Sequence, residues 1–149
     1  MRVYLAGPLF TAAERRYLAG VRDRLRALPG VEVLWPGDLF VDVDLDAMGA
    51  SAKRHIFNRC LEELSGSDMV VALLDGTQVD DGTAWEIGYA FARDLPIWGL
   101  RTDFRRAGDT GHSLVNCMIE CACLKIFQDA DVLLQNLRQE RIPATPSPA

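Results

Sequence analysis

The sequence predicts an α/β fold, because five short, mostly apolar runs alternate with longer segments of helical pattern up to about residue 140. Apolar runs of this kind are typical of parallel strands that are covered on both faces. Right-handed crossovers between such strands place helices on both sides of the sheet. The predicted architecture is a single doubly wound five-stranded parallel sheet, a three-layer sandwich of the flavodoxin-like or Rossmann-like kind.

The first strand is predicted at 3–6, and the helix after it begins at a recognisable cap. Thr11 and Glu14 have the spacing of a capping box, in which each side chain binds the backbone N–H of the other residue. The helix ends before Pro29, which cannot continue it. Its predicted apolar face consists of Tyr17, Leu18, Val21, Leu25 and Leu28.

The second strand, 31–34, leads into an irregular acidic stretch at 36–50. A second helix is predicted at 51–64, and the most apolar run of the chain, 69–74, is the predicted central strand. The apolar residues at helical spacing in the second helix are Ile56, Phe57, Cys60, Leu61 and Leu64.

The second half of the chain continues the alternation. Its predicted elements are a helix at 83–93, a strand at 96–100, a helix at 113–122, a strand at 123–127 and a closing helix at 130–141. Three of the last eight residues are proline, which favours disorder. We therefore predict one domain over residues 1–141 and a disordered tail at 142–149.

Composition and charge exclude several classes of protein. The chain has 149 residues, 49% of them hydrophobic and 25% charged, which excludes disordered and fibrous classes. A net charge of −5 argues against nucleic acid as a partner. No run of eighteen apolar residues and no signal peptide is evident, so we expect no membrane association and a cytoplasmic location.

The four cysteines do not predict a metal site. Three of them lie in the segment CMIECAC, without the paired CxxC spacing of a zinc site, and the two histidines lie in unrelated segments. We expect small, buried apolar thiols, with no metal and no cofactor.

Ligands of a doubly wound sheet bind beyond the carboxyl ends of its strands, so the loops there are the ones to examine. The loop after the first strand, AGPLF, lacks both the dinucleotide-binding pattern GxGxxG and the P-loop pattern. The loop after the central strand is instead rich in carboxylates. These are Asp75, Asp80, Asp81 and, at the start of the next helix, Glu86.

Glu86 has two interpretations. Acidic residues in a first helical turn are good helix formers, and the helix dipole favours their ionised form. Glu86 also lies beside the predicted packed face of its helix, which consists of Ala84, Ile87, Gly88 and Phe91. An ionised carboxylate paired with a proton-donating carboxyl is the arrangement that performs covalent glycosyl transfer.

Three segments, VYLAGPLF, LDGTQVDDGTAWEIGYAFA and VNCMIE, resemble the nucleoside 2-deoxyribosyltransferases. The resemblance extends over nearly the whole folded chain, and DDGTAWEIGYA is its most specific part. It implies that Glu86 attacks C1′ of the sugar and forms a covalent deoxyribosyl-enzyme, and that Asp80 handles the proton of the base. It further implies that Tyr4 holds Glu86 in position, that Phe10 helps to wall the base pocket, and that Gly82 contacts substrate.

The resemblance also implies a homo-oligomer. Asn116, accompanied by Met118, matches a position that reaches into the site of a neighbouring subunit and binds the sugar 5′-hydroxyl. Several family members have a base-contacting aspartate where this chain has Cys60, and Asp75 is the candidate to replace part of that role. A purely structural alternative for Asn116 is a local hydrogen bond at a helix start.

Three functions remain open at this point. The first is exchange of the base of a 2′-deoxynucleoside with a free nucleobase by double displacement. The second is hydrolysis of 2′-deoxynucleoside 5′-monophosphates, for which phosphate-binding candidates exist. The third is a non-catalytic nucleotide-binding domain. The candidate phosphate ligands are Ser113, Arg101, Arg105 and Arg106.

Overall fold

A computed structural model describes residues 1–139 and has a five-stranded sheet at its centre. All neighbouring strands are parallel, and their spatial order is β2-β1-β3-β4-β5. The predicted α/β fold and strand number are confirmed. The strands are β1 (Arg2–Ala6), β2 (Glu32–Leu34), β3 (Met69–Leu73), β4 (Ile97–Leu100) and β5 (Lys125–Phe127).

Helices cover both faces of the sheet. They are α1 (Ala12–Arg26), α2 (Pro36–Leu39), α3 (Ala52–Ser65), α4 (Asp81–Ala92), α5 (Cys117–Glu120) and α6 (Ala130–Gln139). One apolar core lies between the sheet and α1 with α6, and the other lies between the sheet and α3 with α4. Because side chains alternate along a strand, Val3 and Leu5 enter the first core and Tyr4 and Ala6 enter the second.

The capping box predicted at the start of α1 is present in the structure. Thr11 Oγ1 accepts the N–H of Glu14 at 3.1 Å, and Glu14 Oε2 accepts the N–H of Thr11 at 2.7 Å. Such a cap stabilises a helix by about 1 kcal/mol. Four of the five predicted face residues are buried, while Tyr17 is 37% exposed.

Two predictions from periodicity are wrong. The helix expected at 113–122 is only the four-residue α5, because Glu120 turns back and accepts the N–H groups of Leu114 and Val115. The stretch 36–50, expected to be irregular, contains α2, and a short 3-10 turn follows at Gly49–Ser51. The predicted end of the last helix and the predicted tail lie outside the described residues.

The strand order reverses beside β1. The chain moves from β1 through α1 to β2 on one side, and then through α3 to β3 on the other side. Ligands of doubly wound sheets bind at the carboxyl ends of the strands at such a reversal. This is where β1 ends and where the loop from β3 to α4 begins. Residues 1–139 contain no helix that is both long and apolar enough to cross a membrane.

Candidate functional site

Glu86 reaches this reversal from α4 and meets a side chain of β1. The Tyr4 hydroxyl donates a hydrogen bond of 2.6 Å to Glu86 Oε1. Tyr4 has no solvent exposure and packs in the same core as Ile87 and Ala90 of α4. The buried face of α4 consists of Thr83, Ile87 and Ala90, not of the predicted set that includes Gly88 and Phe91.

Burial controls the ionisation of Glu86. Loss of solvent raises its pKa from the ordinary 4.5 to about 7, the hydrogen bond from Tyr4 lowers it, and the charge of Asp80 raises it. The sequence suggested that the helix dipole favours the anion. Glu86 lies in the second turn of α4, where this influence has declined, and desolvation outweighs it.

Tyr4 remains a neutral donor. Burial, followed by the charge of Glu86, raises the pKa of its hydroxyl far above the usual range. The Tyr4 proton therefore stays available to the Glu86 carboxylate at every physiological pH.

Asp80 is the N-cap of α4 as well as a neighbour of Glu86. Its Oδ2 accepts hydrogen bonds from the Thr83 N–H and hydroxyl, each at 2.9 Å. Within residues 1–139, Asp80 Oδ1 has no hydrogen-bond partner. A Cβ at Gly82 would lie 3.3 Å from Asp80 Oδ2, so glycine there keeps space beside this carboxylate.

A cavity of about 340 Å³ opens in front of Glu86, between α3 and α4. This volume is in the range of small-molecule sites. Apolar side chains form most of its wall, and Phe57 meets Trp85 edge to face with 5.5 Å between ring centroids. The lining residues are Lys53, Ile56, Phe57, Cys60, Leu61, Leu64, Gly82, Trp85 and Glu86.

The wall from α3 corrects the sequence analysis for Cys60, which was expected to be a buried thiol but is only partly buried and lines the cavity. Among the apolar residues at helical spacing in α3, only Leu64 is buried. Phe57 is 41% exposed at the cavity mouth. Periodicity predicts the apolar face of a helix correctly, but it does not tell whether the sheet or a ligand cavity covers that face.

Asp75 does not line this cavity. Its Oδ1 accepts the N–H groups of Thr102 at 2.6 Å and of Asp103 at 2.9 Å, and its Oδ2 accepts the Thr102 hydroxyl. The carboxylate therefore fastens the loop after β4 to the end of β3.

Of the other predicted substrate-binding residues, Gly82 lies in the cavity wall, while Phe10, Asn116 and Met118 lie outside it. Phe10 and Met118 are each 78% exposed. Asn116 and Met118 line a separate cavity against Gly88 and Phe91 of α4. Asn116 is the N-cap of α5: its Oδ1 accepts the N–H of Met118 at 3.0 Å, and its Nδ2 donates to Asp109 at 3.2 Å. Asp109, which the sequence analysis missed, also accepts the N–H of Cys117 at 2.6 Å.

The side chains of the loop arginines form hydrogen bonds or ion pairs within the protein. Arg101 is 1% exposed, and its guanidinium donates to the carbonyls of Leu74, Gly76 and Arg105. Arg105 is paired with Asp103. Arg106 donates to the Gly111 carbonyl at 3.1 Å.

Ser113, the fourth candidate phosphate ligand, also has a hydrogen-bond partner, since its hydroxyl lies 2.8 Å from the Thr110 hydroxyl.

Residues 1–139 contain no group of three His, Cys, Asp or Glu side chains that could hold a metal ion.

Comparison with known proteins finds a matching family model and a related protein. A family model described as nucleoside 2-deoxyribosyltransferase matches residues 3–118. An uncharacterized protein of Ureaplasma parvum serovar 3 is 34% identical over 120 residues, which cover 70% of this chain and 72% of that protein.

Two solved structures share the fold. The 2-deoxyribosyltransferase of Bacillus psychrosaccharolyticus has a TM-score of 0.77 and 20% identity, and the match covers 99% of both chains. The CMP N-glycosidase of Clostridium botulinum has a TM-score of 0.57 and 19% identity, covering 92% of this chain and 98% of that chain.

Proposed function

The chain belongs to the nucleoside 2-deoxyribosyltransferase family, and on that premise we propose that it moves the deoxyribosyl group of a 2′-deoxynucleoside from one nucleobase to another. The observation that carries the proposal is the Tyr4–Glu86 hydrogen bond at the wall of a cavity of ligand size. It holds a buried carboxylate in one orientation, as a nucleophile requires.

In the first step the Glu86 carboxylate attacks C1′ and forms an ester to the sugar. The N-glycosidic bond breaks, its electron pair passes to the base nitrogen, and Asp80, in its protonated form, supplies a proton to that nitrogen through the oxygen that does not cap α4 and is left ionised. Tyr4 holds the attacking carboxylate while the sugar gains oxocarbenium character.

In the second step a nitrogen of the incoming base attacks C1′. The bond from C1′ to Glu86 breaks, the carboxylate leaves with the electron pair, and Asp80 takes the proton of the incoming base. Two displacements at one carbon restore the original configuration at C1′. The substrates are a 2′-deoxynucleoside and a free nucleobase, and no cofactor takes part in either step.

The loop arginines already have partners within the protein, which favours a nucleoside over a nucleotide as the substrate. A 5′-monophosphate needs cationic or donor groups that can leave their present partners. Arg101 supports three carbonyls from a buried position, and Arg105 is paired with Asp103. Hydrolysis of 2′-deoxynucleoside 5′-monophosphates is therefore the second candidate, and a non-catalytic binding domain is the third.

The proposal includes a homo-oligomer with shared sites. Asn116 and Met118 lie on an exposed segment away from the Glu86 cavity of their own chain, and the adjacent Phe91 is 51% exposed. A neighbouring copy that covers this apolar surface would receive the Asn116 amide near the sugar of its own substrate.

The test is incubation of the purified protein with deoxyinosine, with and without adenine, followed by chromatography of nucleosides and bases. We expect deoxyadenosine from the wild type when adenine is present, and none from Glu86→Ala. Release of hypoxanthine without transfer would establish hydrolysis instead. An absence of turnover with purine and pyrimidine deoxynucleosides and with their monophosphates would favour the binding domain.

A further inference from the structure

We propose that Lys53 is a specificity-determining residue that binds the exocyclic oxygen of the nucleobase, so that the preferred substrates are 2′-deoxynucleosides of 6-oxopurines and 4-oxopyrimidines. These bases carry a carbonyl group at the position where adenine and cytosine carry an amino group. The proposal rests on the transferase function proposed above and names its substrate class. Its geometric basis is that Lys53 of α3 and Glu86 of α4 line the same cavity.

One face of α3 runs along this cavity. Lys53 lies in the first turn of the helix, and the other α3 residues of the wall follow it at helical spacing as far as Leu64. At 1.5 Å per residue this face is about 16 Å long. Phe57, one turn after Lys53, meets Trp85 edge to face. The two rings offer apolar surface to a planar base, and Lys53 adds a polar group on the same wall.

Lys53 carries the only charged hydrogen-bond donor among the described residues of the cavity wall. The indole N–H of Trp85 is a neutral donor, and the thiol of Cys60 is a weak one. The Glu86 carboxylate can only accept, and the proposed reaction assigns it to the sugar. The polar edge of a bound base therefore meets a strong donor, and it meets no strong acceptor on this wall besides the nucleophile.

The ammonium group of Lys53 is exposed and available to a ligand. It forms no hydrogen bond or ion pair with residues 1–139, whereas the guanidinium of the neighbouring Arg54 lies 5.7 Å from the centroid of the Phe57 ring. Both cations lie in the first turn of α3, which has no acidic residue. Because the helix dipole disfavours a cation there, neither helix stability nor an ion pair accounts for Lys53. Contact with a ligand in the cavity does.

An ammonium group donates hydrogen bonds and cannot accept them. It binds a carbonyl oxygen, whereas an exocyclic amino group would present its own N–H to the ammonium and leave both groups unpaired. When the N-glycosidic bond breaks, its electron pair spreads from the ring nitrogen toward the exocyclic oxygen. Lys53 stabilises that negative charge without giving up a proton, and Asp80 remains the proton donor to the ring nitrogen.

The experiment uses two pairs of donors: deoxyinosine against deoxyadenosine, and deoxyuridine against deoxycytidine. Each pair competes in one reaction with thymine as the acceptor, and chromatography gives the ratio of the two kcat/KM values. For the wild type we expect the oxo donor to be favoured by about 10- to 100-fold. Lys53→Met keeps the length of the side chain but removes the donor, and should reduce the ratio to less than about 3-fold. Lys53→Glu supplies an acceptor and should reverse the preference.

Lys125→Met is the matched control, since it removes the only other lysine of the chain. The Lys125 ammonium lies 5.3 Å from the centroid of the Trp98 ring, and Trp98 belongs to the core between the sheet and α1 with α6. This variant should keep the wild-type ratio. Urea unfolding of the Lys53 variants checks that their folds are intact, which the exposure of Lys53 leads us to expect.

A wild type without preference for oxo donors, or a Lys53→Met variant with the wild-type ratio, would overturn the proposal. An equal loss with oxo and amino donors would overturn it too, because Lys53 would then not act on the exocyclic group. Calorimetric binding of hypoxanthine and adenine does not depend on turnover. If the transferase function fails, activity is absent, but the affinity for hypoxanthine alone should still fall by about 5-fold or more in Lys53→Met. Equal affinities of wild type and variant for hypoxanthine would overturn the Lys53 proposal even if transfer occurs.

Discussion

Tyr4 and Glu86, 82 residues apart in the chain, are joined by a hydrogen bond of 2.6 Å that connects β1 to α4. Both side chains are largely buried, so the bond forms in surroundings of low polarity, where it is strong and where its loss is costly. The same burial raises the pKa of Glu86 to about 7.

Tyr4→Phe removes the donor and keeps the ring. The Glu86 pKa should rise further, since the hydrogen bond now lowers it. We expect activity at pH 6 to fall by about 10- to 100-fold and to recover partly as the pH rises. A pH–rate profile checks this; a loss that is equal at all pH values would mean that the Tyr4 hydroxyl orients Glu86 without changing its ionisation.

Glu86→Gln should stabilise the fold at alkaline pH. The Glu86 pKa is raised on folding, so its contribution to stability is fully present below about pH 4.5 and is lost as the pH rises to about 7. We expect equal stability of wild type and variant at pH 4 and a gain of about 1–3 kcal/mol for the variant at pH 8.

Urea unfolding at pH 4, 6 and 8 measures this difference. Glu14→Gln is the matched control. Its effect on the free energy of unfolding should have the opposite sign, because hydrogen bonds from Thr11 lower the Glu14 pKa. That variant should lose stability above the pKa of Glu14. A variant Glu86→Gln less stable than the wild type at pH 8 would contradict the burial argument.

Asp80→Asn separates the two roles of Asp80. Asparagine still caps α4, so the free energy of unfolding should change by less than about 1 kcal/mol. Because the amide cannot exchange a carboxyl proton, kcat should fall by about 10²- to 10⁴-fold. Asp80→Ala should lose both cap and activity, and equal kcat values for Asn and wild type would exclude proton transfer by Asp80.

Asp75→Ala should act on stability more than on substrate binding. The carboxylate accepts three hydrogen bonds from Thr102 and Asp103, whose loss should cost about 1–3 kcal/mol. Thermal unfolding and KM are to be measured together. A large rise in KM with an unchanged Tm would restore Asp75 as a base-binding residue.

Mixing two inactive variants tests the shared site. Glu86→Gln and Asn116→Ala should each be inactive alone. If a symmetric dimer exchanges Asn116 between its sites, refolding an equal mixture should recover about a quarter of wild-type activity. Activity of Asn116→Ala equal to wild type would place Asn116 outside the site, and a mixture no more active than its parts would contradict the sharing of the site between subunits.

Local signals predicted most of the fold. The capping box at Thr11 depends on contacts within a few residues, and β3 is apolar because both of its faces are covered. Such features can be derived from the sequence because neighbours along the chain determine them. The prediction of a helix at 113–122 failed because the Glu120 side chain accepts the N–H groups of Leu114 and Val115, and Asn116 caps a helix that begins only at Cys117.

Within the candidate site, the sequence by itself determined which groups are present: the carboxylates Asp80 and Glu86 at the end of the central strand, and Tyr4 on the first. Only the tertiary structure decided what each of them contacts. Tyr4 meets Glu86 because β1 and β3 are neighbours, Asp75 turns to Thr102 of the next loop, and Cys60 faces the site rather than the core. These contacts depend on how elements that are distant in the sequence pack against each other. The same packing buries Glu86, and this burial raises its pKa more than the helix dipole lowers it.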